Sequence, residues 1–122
     1  LHNEIIGGEG VMYIAEYYIS PGGNKPVEKF ILEQTAEWQS WIFAALELLQ
    51  EREGKLKNYL AETKHIEDKI FELKFKQIPV RILYAYHPRV RGRMVLLHAV
   101  IKKRDDLKRK DIETAETNYR QI

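Results

Sequence analysis

The period of the apolar positions changes several times along the chain, and each change predicts an element. Val11 to Ser20 (VMYIAEYYIS) is rich in aromatic and β-branched side chains and runs into Pro21-Gly22-Gly23, the pattern of a strand that ends in a turn. Asn24, two residues before Pro26, opens a helix, because the first turn tolerates a residue without an N–H. Val27, Phe30 and Ile31 follow at helical spacing; Thr35 offers a fresh N-cap, and Trp38, Trp41, Ile42, Ala45, Leu48 and Leu49 recur at three- and four-residue intervals up to Gly54. Two consecutive helices, or one bent helix, are expected from about Val27 to Arg52, with a broad aromatic stripe laid on an apolar surface. Gly54 to Lys69 is polar without a clear period and reads as a long connection with room for a short helical turn.

Beyond Lys69 the period becomes two. Phe71, Leu73 and Phe75 alternate with Glu72, Lys74 and Lys76, giving a half-buried antiparallel strand. Gln77-Ile78-Pro79 turns into a second strand, Val80 to His87, in which Val80, Ile82, Tyr84 and Tyr86 share one face and Arg81, Leu83, Ala85 and His87 the other. A turn at His87 to Gly92 leads to a last strand, Met94 to Lys103, apolar on both faces as a strand at the sheet centre would be. In the tail, Ile112, Ala115 and Tyr119 lie on one side of a weakly amphipathic helix.

The resulting order is β-α-α-β-β-β-α. The expected fold is α+β: a small, antiparallel-rich sheet covered on one face by the two N-terminal helices, with the alternating strand charges on the opposite face. Residues 1–10, with three glycines and no apolar period, are read as a leader, poorly ordered or introduced by cloning; residues 11–122 form a single domain. A chain of 122 residues with 44% hydrophobic and 31% charged side chains suits one core. It contains no apolar run of ~18 residues and no signal-peptide pattern, so no membrane is expected and the cytoplasm is the expected compartment. The absence of cysteine excludes disulfides and every thiolate-ligated metal site.

The net charge of +2 conceals a division. Residues 1–68 carry 6 Lys and Arg against 12 Asp and Glu, a balance of −6; residues 69–122 carry 14 against 6, a balance of +8. A basic half of that size attracts polyanions through counterion release, and nucleic acid is the first partner to consider. Lys74, Lys76, Arg81, Lys102, Lys103 and Arg104 come from neighbouring strands, and cations gathered on one sheet face repel one another unless a polyanion is met there. Arg81 stands in an otherwise apolar strand, where its guanidinium needs either a phosphate or a carboxylate such as Glu72 on the preceding strand. The loop HPRVRGR adds Arg89, Arg91 and Arg93, which either hold phosphate or are simply solvated. His98, mid-strand among apolar residues, is either a satisfied core histidine or an acid-base group beside the cations. The four histidines lack metal-ligand spacing, so no metal site is expected, and no phosphate-loop, dinucleotide or serine-hydrolase motif occurs.

Five segments in order resemble the HigB-type branch of the RelE/ParE toxin superfamily: MYIAEYYIS, PVEKF, FELKF, VRILYAY and RMVLLHAVIKK, followed by a charged helix. The resemblance covers about Met12 to Tyr119. It implies a RelE-like fold and the toxin of a bacterial or phage-derived type II toxin-antitoxin pair. Toxins of this kind are metal-free endoribonucleases without a cofactor that cut messenger RNA on the ribosome and inhibit translation. The implied partners are mRNA, the ribosome and a cognate antitoxin of helix-turn-helix type, with operator DNA reached only through the antitoxin complex. The resemblance carries over Lys74, Arg81, Lys102 and Lys103; together with the residues singled out above, Lys74, Arg81, Lys103 and His98 are the catalytic candidates, and Lys76, Arg89, Arg91, Arg93, Lys102 and Arg104 the RNA-binding ones. Glu72 stands where RelE has a lysine, Lys103 where RelE has an arginine, and no tyrosine falls early in the final helix, so the general base is open between Lys74, His98 and Glu72. The alternatives from other classes are a ParE-like, non-enzymatic gyrase poison and an RNA-binding module without catalysis.

Overall fold

The computed structural model describes residues 13–103 and 106–122. The element order is β1 (Ile14–Tyr17), α1 (Pro26–Leu32), α2 (Ala36–Glu51), β2 (Ala61–Glu67), β3 (Ile70–Phe75), β4 (Val80–Tyr86), β5 (Arg93–Ile101) and α3 (Arg109–Arg120). The fold is α+β, as expected. The five strands form one sheet in the order β1-β5-β4-β3-β2, antiparallel except for β1, which lies parallel to β5.

One face of the sheet carries α1 and α2. Val27, Ile31, Ile42, Ala45 and Leu49 pack there against Leu73, Val80, Ile82, Tyr84, Met94 and Leu96, all at most 1% exposed. Trp38 and Trp41 lie half-buried against this core, the structural role more common for helical tryptophans. The break between the helices falls where Thr35 accepts the N–H of Trp38 at 3.2 Å. At the start of α1 the sequence reading is off by one residue: Lys25 is the N-cap and caps with no side chain, while Asn24 N–H bonds Ser20 Oγ at 3.0 Å. Pro26 takes the first helical position, as expected.

Three further expectations change. The expected connection from Gly54 to Lys69 contains strand β2. It is an edge strand made of AETKHIE, with no continuous apolar face to give it away, and the exposed Lys64 and His65 on it are the kind of residue that guards an open edge. The first strand is shorter than expected within the described residues, and Val11 and Met12 lie outside them. The last strand ends at Ile101 and is interior but not central, that place belonging to β4.

The expected alternation in β5 also fails midway. Leu83 pairs with His98 but Tyr84 with Leu96, so Leu97 is an extra residue, a β-bulge. A bulge reverses the facing of everything beyond it. Leu97 joins Val95, Leu83 and Ala85 in a second apolar cluster on the far face, and Ala99 turns to the helix-covered face. Asn118 Nδ2 donates to the Leu97 carbonyl at 2.9 Å, and Ile112 and Ala115 are buried. Thus α3 covers part of the face that the sequence reading left to the charges.

Gly54 closes α2. Glu53 and Gly54 both adopt positive φ (58° and 86°), and Gly54 N–H bonds Leu49 O at 2.8 Å. A Cβ at Gly54 would run into Tyr86 Oη and lie 2.8 Å from Met94 Sδ, so both backbone conformation and space favour glycine.

Candidate RNA-binding groove

Strand register sets the far face out in rows. Glu62, Lys74, Arg81 and Val100 form one row across β2, β3, β4 and β5; Lys64, Glu72, Leu83 and His98 form the next, nearer α3. Lys74 and Arg81 are therefore direct cross-strand neighbours, placed so by the period of two that each strand shows in sequence. Beyond the first row, the β3–β4 turn brings up Lys76. The Lys102 N–H bonds Pro79 O at 2.7 Å and ties the end of β5 to that turn. Lys74, Lys76, Arg81, Lys102 and Lys103 together with Phe75 and Ile78 line an open groove of about 360 Å³.

The tertiary structure thus gathers five of the cations singled out in sequence. The sixth, Arg104, lies outside the described residues. Lys102 and Lys103 make no ion pair among the described residues, and Lys76 has only a loose one to Glu62 at 4.0 Å. Arg81 differs from these lysines. Its Nη1 donates to Glu72 Oε2 at 2.7 Å, and both side chains are 5% exposed. The salt bridge considered from sequence is present, while Arg81 still borders the groove.

The remaining candidates are placed elsewhere. His98 is on the same face as Arg81 because of the bulge, but its Nε2 lies 3.0 Å from Asp111 Oδ1 and the ring is held under α3. Asp111 as its partner was missed in sequence because the two are joined only by the docking of α3. Arg89, Arg91 and Arg93 sit at or beside the β4–β5 turn, at the other end of β4 from the groove, on the order of 20 Å away for a seven-residue strand. Arg93 is tied to Glu16 at 2.6 Å. These three cannot join the groove cations on one phosphate. Glu62 and Lys64 were also missed as neighbours of the site, since both belong to the unrecognised β2.

Away from the groove, Glu67, Asp68 and Glu116 converge where the β2–β3 turn meets α3, with Glu67 also held by Arg109. Burial, then hydrogen bonding and charge from Glu67 and Asp68, push the Glu116 carboxyl above its ordinary range. No helix among the described residues is long and apolar enough to cross a membrane.

A small mixed sheet, layered by two helices on one face and carrying α3 and a cationic groove on the other, defines the chain as a compact α+β protein. The sequence matches the phage-derived Gp49-like proteins over residues 29–120, from within α1 to the end of α3. The chain belongs to that family, which lies within the RelE/HigB-like toxin superfamily. Among curated proteins none matches it.

Proposed function

We propose that this protein is the toxin of a type II toxin-antitoxin pair, of HigB type, and that it cuts messenger RNA on the ribosome. The observation that carries the reading is the groove at the open end of the sheet, where Lys74, Arg81 and Lys102 meet Lys76 and Lys103. Ribonucleases of this kind use the 2′-hydroxyl of the RNA as nucleophile on the adjacent phosphorus, forming a 2′,3′-cyclic phosphate as the P–O5′ bond breaks and the departing 5′-oxygen takes a proton from water. The protein must therefore align the hydroxyl, accept its proton and stabilise charge on the pentavalent phosphorus. Arg81, oriented by Glu72, and the lysine pair supply the last of these. Of the three candidate bases, Lys74 lines the groove, whereas Glu72 and His98 do not. Lys74 is accordingly the residue proposed to take up the 2′-hydroxyl proton.

Primer-extension mapping of transcripts after a short pulse of expression tests this. Discrete cuts that disappear when translation is blocked are expected, and they should vanish with Lys74→Ala. DNA damage without such cuts would overturn the reading in favour of gyrase poisoning.

A further inference from the structure

The three arginines of the HPRVRGR loop were grouped in sequence with the groove cations, yet the fold carries them to the opposite end of the sheet. There they differ among themselves. Arg93 is paired with Glu16, as Arg109 is with Glu67 and Arg81 with Glu72. Arg89 and Arg91 are exposed and have no such partner among the described residues.

The turn that carries them is ordered by its own first residue. His87 Nδ1 accepts the N–H groups of Arg89 and Val90 at 3.0 and 3.1 Å, and the His87 N–H donates to Arg93 O at 2.8 Å. An accepting Nδ1 leaves Nε2 as the donor of the ring. Gly92, at φ 83°, completes the turn. The two unpaired guanidinium groups therefore project from a backbone already fixed, which lowers the ordering cost of binding.

Beside the turn lies a half-open hollow of about 540 Å³, lined by Phe71, Tyr86, Tyr119, His87, Asp68 and Lys69. Its walls are largely aromatic, with a carboxylate that accepts and a lysine that donates. That combination suits a nucleobase better than a phosphate, which Asp68 would repel. Cations flanking an aromatic hollow are the means by which single strands are held, phosphate on the cation and base on the ring.

We propose that the β4–β5 turn and its hollow form a second contact for single-stranded RNA, with Arg89 and Arg91 on backbone phosphates and one base in the hollow. It rests on the reading of the chain as an RNA-acting protein and extends the bound strand from the groove along the sheet to its opposite end. His87 is a positioning residue for both arginines.

Binding of a fluorescein-labelled 2′-O-methyl RNA, which lacks the nucleophile and stays uncut, is the test. The whole chain is compared with Arg89→Gln/Arg91→Gln and with Lys102→Gln/Lys103→Gln as the groove reference. The turn variant should keep its melting temperature and bind about tenfold more weakly. Its log affinity against log salt should be shallower by about 1.4, roughly 0.7 for each single-strand phosphate that the variant no longer neutralises. His87→Ala should weaken binding with the salt slope unchanged, because no cation is removed. Inorganic polyphosphate, having no bases, should compete less well than RNA.

If the turn variant keeps full affinity and slope while the groove variant loses both, the second contact is overturned and the groove stands. Failure of the wild-type chain to bind RNA at any salt overturns both. Binding to vesicles containing anionic lipid, but not to RNA, through the same arginines also overturns it. Weaker binding by the turn variant together with uncut cellular transcripts supports the second contact and removes only the nuclease reading.

Discussion

The Arg81–Glu72 pair is the residue on which site and stability meet. Desolvating two charges costs several kcal/mol per ion, and their attraction offsets this only while both are present. Arg81→Ala leaves a buried carboxylate uncompensated and should destabilise the fold by about 3–5 kcal/mol. The double variant Glu72→Leu/Arg81→Met should recover most of that loss in urea denaturation while remaining without growth arrest. Recovery of stability without activity would separate the two roles of Arg81; a full loss of stability in the double variant would contradict the buried-pair argument. Tyr84 gives a second residue-scale prediction. Its hydroxyl donates to Gly54 O at 2.6 Å, and burial, with the neighbouring Tyr86, pushes its pKa well above the ordinary 10. A raised pKa means that the unfolded chain loses this proton first, so the stability it contributes is complete below about pH 10 and is lost as pH rises beyond that. Tyr84→Phe should be less stable at neutral pH by about 1–3 kcal/mol, since it leaves the Gly54 carbonyl unpaired. It should also lose stability less steeply in alkali.

Among the elements, α3 is held by a mixture of apolar and polar contacts that the bulge in β5 makes available. The Leu97 carbonyl takes Asn118, His98 meets Asp111, and Arg109 pairs with Glu67 of β2. The same docking presses Glu116 of α3 against Glu67 and Asp68. Its raised pKa means that the ionised carboxylate is disfavoured in the folded state. Glu116→Gln should therefore raise the melting temperature at neutral pH. The gain should shrink as pH falls through the raised value and be absent below the ordinary 4.5, where both states are protonated in the wild type. A variant less stable than wild type at neutral pH would show instead that Glu116 makes a net favourable contact. Edge strand β2 is tied down differently at its two halves. Leu56 and Asn58 bond its first half, with Thr63 N–H on Leu56 O at 2.8 Å, whereas Lys64 and His65 guard the second.

Across the whole molecule the charge division seen in sequence becomes only in part a division of faces, because Glu62, Glu67 and Asp68 of the acidic half lie on the side of Lys74 and α3. Glu33, Glu37, Glu47 and Glu51 are exposed on and between the helices of one layer, and the cationic groove opens on the other side of the sheet. On the toxin-antitoxin reading proposed above, a partner that silences the protein must then match the groove with carboxylates or cover it, because desolvated like charges cannot be left unpaired. Lys102→Glu/Lys103→Glu should weaken growth arrest and the affinity for a small acidic or helix-turn-helix antitoxin together, as measured by calorimetry with the purified pair. Loss of toxicity with unchanged antitoxin affinity would move the inhibitory contact to the acidic helices. RNA binding should fall steeply with salt, in keeping with several phosphate contacts.

Local pattern was enough for every element whose faces differ. The stripe from Trp38 to Leu49 and the alternation in Phe71–Lys76 follow from burial of one side, Val80–Tyr86 reads as a strand although both its faces are covered, and the cations Lys74 and Arg81 fall on one face by parity. Parity says nothing about which strands become neighbours, so β2, polar and paired on one side only, passed for a loop. Nor does it anticipate an extra residue. The bulge at Leu97 turned His98 toward α3 and gave it Asp111, contacts set by pairing with distant chain. Whether Arg81 met a carboxylate or stood open, and whether the HPRVRGR arginines joined the groove or left it, depended on strand order and strand length. The kinds of chemistry available were written along the chain; which groups could act together was decided by the non-local register of the sheet.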